Sequence, residues 1–473
     1  MSETSAGAPA SSQETSRAYR VYILVLLTGV YTFNFIDRQI IGILSPAIKA
    51  DLGLADWQLG ILKGFAFAVL YTTLGIPIAR LADRHNRVTI ISIALALWSG
   101  FTAISGAAMN FAQLALARVG VGIGEAGGSP PAHSLISDYF PKEKRAGALA
   151  VYAMGIPIGV ALAFLGGGWL TETFSWRVAF VVVGLPGVLM AILLKLTVKE
   201  PARGVHEDGG MGDAFHALKV TEPEGAFERS LKLAFKVFPS GWRAGAFSET
   251  ATVWRAAKHL LSIPTYRAIV IGATAISFST YANGTWIVDF YVRSHSDFPV
   301  MQVYFWLGVI SGTAYALGTF LGGYLVDKFA AKDKKHYGYI PAIALFLNVP
   351  AFAVSIWTGD PVISLIFQVP VQLAIGFYLG PSFAIAQTLA PVSVRALSTA
   401  VFFFILNMIA LGFGPTTVGV LSSMLAGGYG EELALRISLT VVSFTGLYGA
   451  WMYYQAGKRI TKDWAKATGE SAP

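Results

Sequence analysis

The chain has 473 residues, 54% hydrophobic and only 13% charged, with a mean hydropathy of +0.58. Soluble domains carry about a quarter of their residues as Asp, Glu, Lys or Arg, so a soluble globular protein is excluded. The absence of cysteine excludes disulfides, thiol chemistry and cysteine-ligated metal centres, and the net charge of +8 is spread through short loops, which disfavours a nucleic-acid partner.

The first twenty residues, polar and rich in Ser and Ala, are expected to be a disordered segment (1–20) with no signal peptide. Apolar runs long enough for ~30 Å of hydrocarbon begin near Val21, Trp57, Val88, Phe111, Ala146 and Trp176. A second set begins near Pro264, Val300, Tyr339, Pro361, Val394 and Leu433. The reading is an all-α membrane protein of about twelve helices, in six-helix bundles at 21–197 and 263–457. Between them lies a polar linker, 198–262, in which Phe227–Phe238 and Thr252–Leu261 carry basic and apolar residues at helical spacing. These are expected to be amphipathic helices on the membrane surface. Residues 458–473 are expected to be a polar tail.

Basic residues cluster at Arg17 and Arg20, at Arg84 and Arg87, at Lys142 to Arg145, at Lys328 to Lys335 and at Lys458 to Lys466. Every second connection is therefore basic, which places both termini in the cytoplasm of an inner (cell) membrane. Glycines at 120, 124 and 128 give small-xxx-small steps for close helix packing.

The two bundles repeat one another. Asp83-Arg84 follows the second span and Asp327-Lys328 the eighth; Pro141 with Arg145 follows the fourth and Pro391 with Arg395 the tenth. A parallel repeat of this kind describes a secondary transporter with its site at the midplane between the halves. The run Ala79-Arg-Leu-Ala-Asp83-Arg84-His-Asn-Arg87 resembles the loop signature of the major facilitator superfamily, with Ala79 and Asn86 standing where glycines are customary. The resemblance implies a gate on the cytoplasmic side, made by Asp83, Arg84, Arg87, Arg145, Asp327 and Arg395.

Asn34-Phe-Ile-Asp37-Arg38 in span one, Arg118-Val-Gly-Val-Gly-Ile-Gly124-Glu125 in span four and Ser137-Asp138-Tyr-Phe140 after it resemble the Spinster family. Its eukaryotic members export sphingosine-1-phosphate or lysophospholipids. Independently of that likeness, ionisable groups deep in a bilayer cost several kcal/mol unless matched, and so mark function. At ~1.5 Å per residue, Arg118 lies roughly 10 Å below the outer boundary, Asp37 roughly 15 to 18 Å and Glu125 roughly 21 Å. The expected arrangement is an Asp37–Arg118 ion pair with Glu125 one turn deeper, Asp37 and Glu125 exchanging protons against Arg118. Arg38 is then the attractor of an anionic head group.

The substrate site read from the sequence comprises Asn34, Arg38, Arg118 and Glu125 on the first half, facing Tyr281, Asn283, Trp286, Gln372 and Asn407 on the second. Asp289 reads as a rim residue. Two signals fail on context: Gly122-Ile-Gly124-Glu-Ala-Gly127 matches a dinucleotide fingerprint but lies inside a span, and Ser129, His133 and Asp138 lie on successive turns, too far apart for a triad. No ATP-binding loop occurs, and no cofactor or metal is expected. The sequence-level reading is a monomeric, non-enzymatic, proton-coupled exporter of an anionic amphiphile, working by alternating access among membrane lipids. The alternatives are a proton or sodium symporter of small organic anions and, in another class, a scramblase or channel.

Overall fold

The computed structural model describes residues 16–203, 257–390 and 395–468, the side chains of Ile76, Ala79, Arg80, Asp83, Lys142, Ala146 and residues 395–397 excepted. The expected helix at Phe227–Phe238 and the first part of that at Thr252–Leu261 lie outside the described residues.

The first half runs α1 (Arg17–Leu52), α2 (Asp56–Lys63), α3 (Phe65–Arg84), α4 (Arg87–Ser105), α5 (Phe111–Glu125), α6 (Ser129–Tyr139), α7 (Lys142–Ala153), α8 (Gly155–Leu162), a π-helical turn Ala163–Gly167, α9 (Gly168–Thr173) and α10 (Trp176–Thr197). The second runs α11 (Pro264–Ser294), α12 (Val300–Ala330), α13 (His336–Trp357), α14 (Pro361–Leu389), α15 (Arg395–Leu406), a π-helical turn Asn407–Leu411 and α16 (Gly412–Thr468), which is divided at Gly430. The two π-helical turns stand at the same sequence offset as Asp83 and Asp327, so the repeat read from loop motifs extends to local backbone geometry.

Nine helical stretches among the described residues are long and apolar enough to cross a membrane. Two of the expected spans fall outside that set for physical reasons. The run from Phe111 is interrupted after 15 residues, because Pro130 and Pro131 lack the N–H groups a continuous helix needs. α11 has 31 residues but interleaves polar groups, Tyr281, Asn283, Asp289 and Arg293 among them.

The N-terminus of α1, the end of α10, the start of α11 and the end of α16 share one end of the molecule, called here the terminal end. There the Tyr19 hydroxyl donates to the Thr197 carbonyl (2.9 Å), and Asp463 accepts from the backbone N–H (3.0 Å) and hydroxyl (2.6 Å) of Thr265. The last helix therefore does not stop at residue 457: it continues to Thr468, and Trp464 stacks on Tyr337.

Burial is divided unevenly between the ends. At the far end one apolar core is shared by both halves, joining Ile40, Leu44 and Leu59 to Trp286, Phe290, Val418 and Leu435. Toward the terminal end the core splits in two, one around Phe67, Trp98 and Tyr152, the other around Tyr266, Phe402 and Tyr453. The halves are closed on each other at the far end and part toward the terminal end.

Close helix approach rests on glycine where the sequence placed it. A Cβ on Gly124 would stand 2.5 Å from the Trp98 backbone nitrogen, whereas one on Gly100 would meet nothing within 4 Å. Gly124→Ala is accordingly expected to lower thermal stability in detergent by an overpacking cost of about 1–3 kcal/mol, while Gly100→Ala leaves the melting temperature unchanged or slightly raised; unfolding curves of the two variants check this.

Candidate functional site

The site sits between α1 and α5, where the shared core gives way to the two separate ones. Arg118 and Glu125 are seven residues apart and share one face of α5; Asn34 and Asp37 share one face of α1. All four side chains are buried, Asp37, Arg118 and Glu125 at 1% exposure each.

Pairing differs from the sequence expectation. Glu125 Oε2 is held by Arg38 Nε at 2.7 Å, not by a turn of its own helix. Arg118 donates to the main-chain carbonyl of Asp37 at 3.3 Å and leaves the carboxylate untouched. Both Asp37 carboxylate oxygens lack a hydrogen-bond partner, as do Asn34 Oδ1, Glu125 Oε1 and Arg118 Nε. The physical reason is positional: Arg38 follows Asp37 by one residue, about 100° around the helix, and so reaches the end of α5 where Glu125 stands. The C-terminal end of α5 adds negative potential there, which a guanidinium matches.

Aromatic rings surround both cations. The Arg38 guanidinium lies 4.6 Å from the ring centre of Tyr71, 5.3 Å from Phe35 and 5.5 Å from Phe67. Arg118 stands 5.4 Å from the ring centre of the same Phe67. Tyr31 stacks on Tyr152 at 4.4 Å, and Tyr281 from the second half packs against both terminal-end cores. This lining was missed from sequence because an aromatic residue in a membrane helix has no signature separating packing from ligand contact.

The other predicted residues are dispersed. Asn283 is half-buried and its Oδ1 has no partner, Gln372 donates to Ser311 within the second half (3.1 Å), and Asn407 opens the π-helical turn. Trp286 is not a lining residue here: it is fully buried in the far-end seam, its indole N–H donating to the Pro415 carbonyl at 3.0 Å. Asp289 is not at the rim but buried, 2.6 Å from Lys63, a residue the sequence reading passed over. An uninterrupted lysine between Leu62 and Gly64 in an apolar run was the available signal.

Two of the expected gate residues, Arg87 and Arg145, make bonds to groups of the first half. Arg87 is buried within its own half, against Glu200 Oε1 (2.6 Å), Ser134 (2.8 Å) and Asp138. Arg145 donates to the Ser137 carbonyl at 2.9 Å, again within its own half. Arg84 and Asp327 are exposed, and the side chains of Asp83 and Arg395 lie outside the described residues.

Removing one member of a buried pair strands the other. Arg38→Met is therefore expected to lower stability by ~3–5 kcal/mol, and the double variant Arg38→Met/Glu125→Gln, which strands no charge, to recover most of that loss. Chemical denaturation of both variants in detergent measures it; equal losses would count against a direct pair.

A family model described as Major Facilitator Superfamily matches residues 27–455. Over 448 residues the chain is 31% identical to an MFS-type efflux pump of Mycolicibacterium smegmatis, with 94% of each chain covered. It is 25% identical over 451 residues to the D-galactonate transporter of Escherichia coli, covering 92% of this chain and 95% of that one. It is 23% identical over 484 residues to protein spinster homolog 1 of Xenopus tropicalis, covering 96% and 84%. Among solved structures, a bacterial homolog to the human lysosomal transporter Spinster, in an inward-facing and unoccupied conformation, superposes with a TM-score of 0.77 at 30% identity, covering 95% of this chain and 99% of that one.

Proposed function

The chain belongs to the major facilitator superfamily, and from that premise we propose that it is a proton-coupled transporter that exports an anionic amphiphile by alternating access. The observation that carries the reading is the buried Asp37 carboxyl, without a partner, beside an Arg38–Glu125 pair ringed by aromatic side chains.

An ionised carboxylate is stable away from water only when donors face it. Asp37 accepts no hydrogen bond in this arrangement, with Thr102 and Trp98 as the donors beside it, and exchanges its proton as rearrangement moves Arg118 between the Asp37 carbonyl and the carboxylate. Glu125 is the second proton site. An anionic head group arriving at Arg38 competes with Glu125 for the guanidinium, which links substrate loading to the charge state of Glu125. The apolar part of the substrate then lies along Phe35, Phe67, Tyr71 and Tyr281. Taking the terminal end as cytoplasmic, from the distribution of Lys and Arg, the structure stands open to the cytoplasm, ready to load cargo for export. The likeness to a Spinster homolog and to an efflux pump supports this direction.

The second reading, symport of a small organic anion, is supported by the likeness to the D-galactonate transporter; a sugar acid needs Arg38 but not the aromatic wall. Reconstitution into proteoliposomes with a panel of lysophospholipids and sugar acids, under imposed proton or sodium gradients, separates the two. Lysophospholipid flux driven by a proton gradient is expected; sugar-acid flux alone would favour the second reading.

Asp37→Asn and Glu125→Gln are each expected to remove the dependence of flux on the proton gradient by more than about tenfold, while leaving exchange of substrate across the membrane measurable. Retained proton coupling in both variants would overturn the assignment of these carboxyls.

A further inference from the structure

A second group of buried charges plays no part in that scheme. Lys63 is the last residue of α2, and the chain breaks its helix at the next residue, Gly64 (φ −124°, ψ −84°). Its ammonium lies 2.6 Å from Asp289 Oδ2 on α11, across the boundary between the halves, with the two side chains 0% and 1% exposed. The Ser45 hydroxyl donates to the same oxygen at 2.6 Å, and the Lys63 ammonium sits 3.6 Å above the ring of Trp286. Around this pair, Arg293 grips Asp56 through two 2.7 Å bonds, Lys49 bonds Asp56 at 3.0 Å and Glu431 at 2.5 Å, and Ser422 donates to Asp56 at 2.6 Å.

We infer that the buried Lys63–Asp289 pair is the latch that holds the far side of the transporter shut, positioning the two halves for the open terminal end. The inference rests on the alternating-access reading and adds residues that reading does not use. Its physical basis is that such a pair has two permitted states and a forbidden middle. Closed, each charge has the other; open, each is hydrated. A state with the halves half-parted leaves two charges dry and unmatched, which is the costly case. An interface with two satisfied arrangements and an unfavourable one between them switches instead of deforming.

The neighbouring charges make the two partners unequal. Asp289 keeps Ser45 and, at 3.8 Å, Arg293 if Lys63 is lost. Lys63 faces no second carboxylate at bonding distance among the described residues if Asp289 is lost, only the Trp286 ring. The latch also adjoins the central site. Phe67, four residues beyond Lys63, is a ring within 5.5 Å of both Arg38 and Arg118. The break at Gly64 is packed so tightly against the second half that a Cβ there would stand 2.5 Å from the Gly412 carbonyl oxygen. A tilt of α3 that opens the far side therefore moves Phe67 against both arginines.

The absence of native cysteine makes the test direct. Met109→Cys and Tyr429→Cys, at exposed far-end positions on opposite halves, carry spin labels, and the distance between them is measured in lipid nanodiscs. In this parent the short-distance population is expected to dominate. Asp289→Asn, which strands the Lys63 ammonium, should shift the open-to-closed ratio by at least ~tenfold toward the longer distance. Lys63→Met should shift it less, and Lys63→Met/Asp289→Asn, which strands nothing, should return toward the parent. A distance distribution in Asp289→Asn or in the double variant equal to the parent's, or a double variant that equals the sum of the singles, would overturn the latch. If Asp289→Asn does not fold, the double variant and Lys63→Met still decide, since a latch requires both to stay shifted toward the longer distance relative to the parent. The readout is a distance and not a flux, so a failed latch leaves the Asp37 and Glu125 experiments intact, and failure of proton coupling leaves the latch standing.

Discussion

A charge held away from water in a membrane protein must be matched by another charge or by donors, and two such matches organise this molecule. One, Arg38 with Glu125, lies within the first half and joins α1 to the end of α5. The other, Lys63 with Asp289, crosses between the halves. The first draws two spans of one bundle together around a site; the second fixes how the bundles stand relative to each other. The single core at the far end and the divided cores at the terminal end are the apolar counterpart of the same arrangement.

Backbone irregularities coincide with these charges. Lys63 precedes the break at Gly64, Glu125 precedes the interruption at residues 126–128, and Asn407 opens a π-helical turn whose counterpart in the first half is Ala163–Gly167. Irregular backbone at membrane depth is tolerated only where it is buried in protein or faces a cavity, and a helix end brings partial charge with it. The breaks thus place a side chain and an electrostatic environment together, which a continuous helix would not. Tight glycine contacts serve the same purpose at the seam: a Cβ on Gly419 would stand 2.3 Å from the Asp56 carbonyl oxygen, so that the backbones approach closely enough for short side chains such as Ser422 and Ser45 to complete the charge network.

The repeat, the membrane character and the set of charges Asp37, Arg38, Arg118 and Glu125 were legible in the sequence, because each depends on composition along the chain: hydropathy, loop charge, and a few ionisable residues inside apolar runs. Their pairing was not. Depth estimates along single helices put Asp37 between Arg118 and Glu125, but the rotation of α1 turns Arg38 toward Glu125 and leaves the Asp37 carboxyl without a hydrogen bond. Trp286 and Asp289 were misplaced for the same reason, since position along α11 says nothing of which helix of the other half lies against it. Arg87 looked like a gate between halves, yet Glu200 and Asp138 of its own half hold it.

By itself, the sequence determined a helical membrane protein built twice over and the few residues at which water-seeking groups had to be reconciled with hydrocarbon. These are one-dimensional properties, set by what each segment can bury. Only the tertiary structure decided which charge meets which, at which end the halves close, and that a lysine in span two completes the seam. Those outcomes depend on helix rotation and on contacts between residues more than two hundred positions apart, where a shift of a single residue, about 100° of helix, exchanges one partner for another.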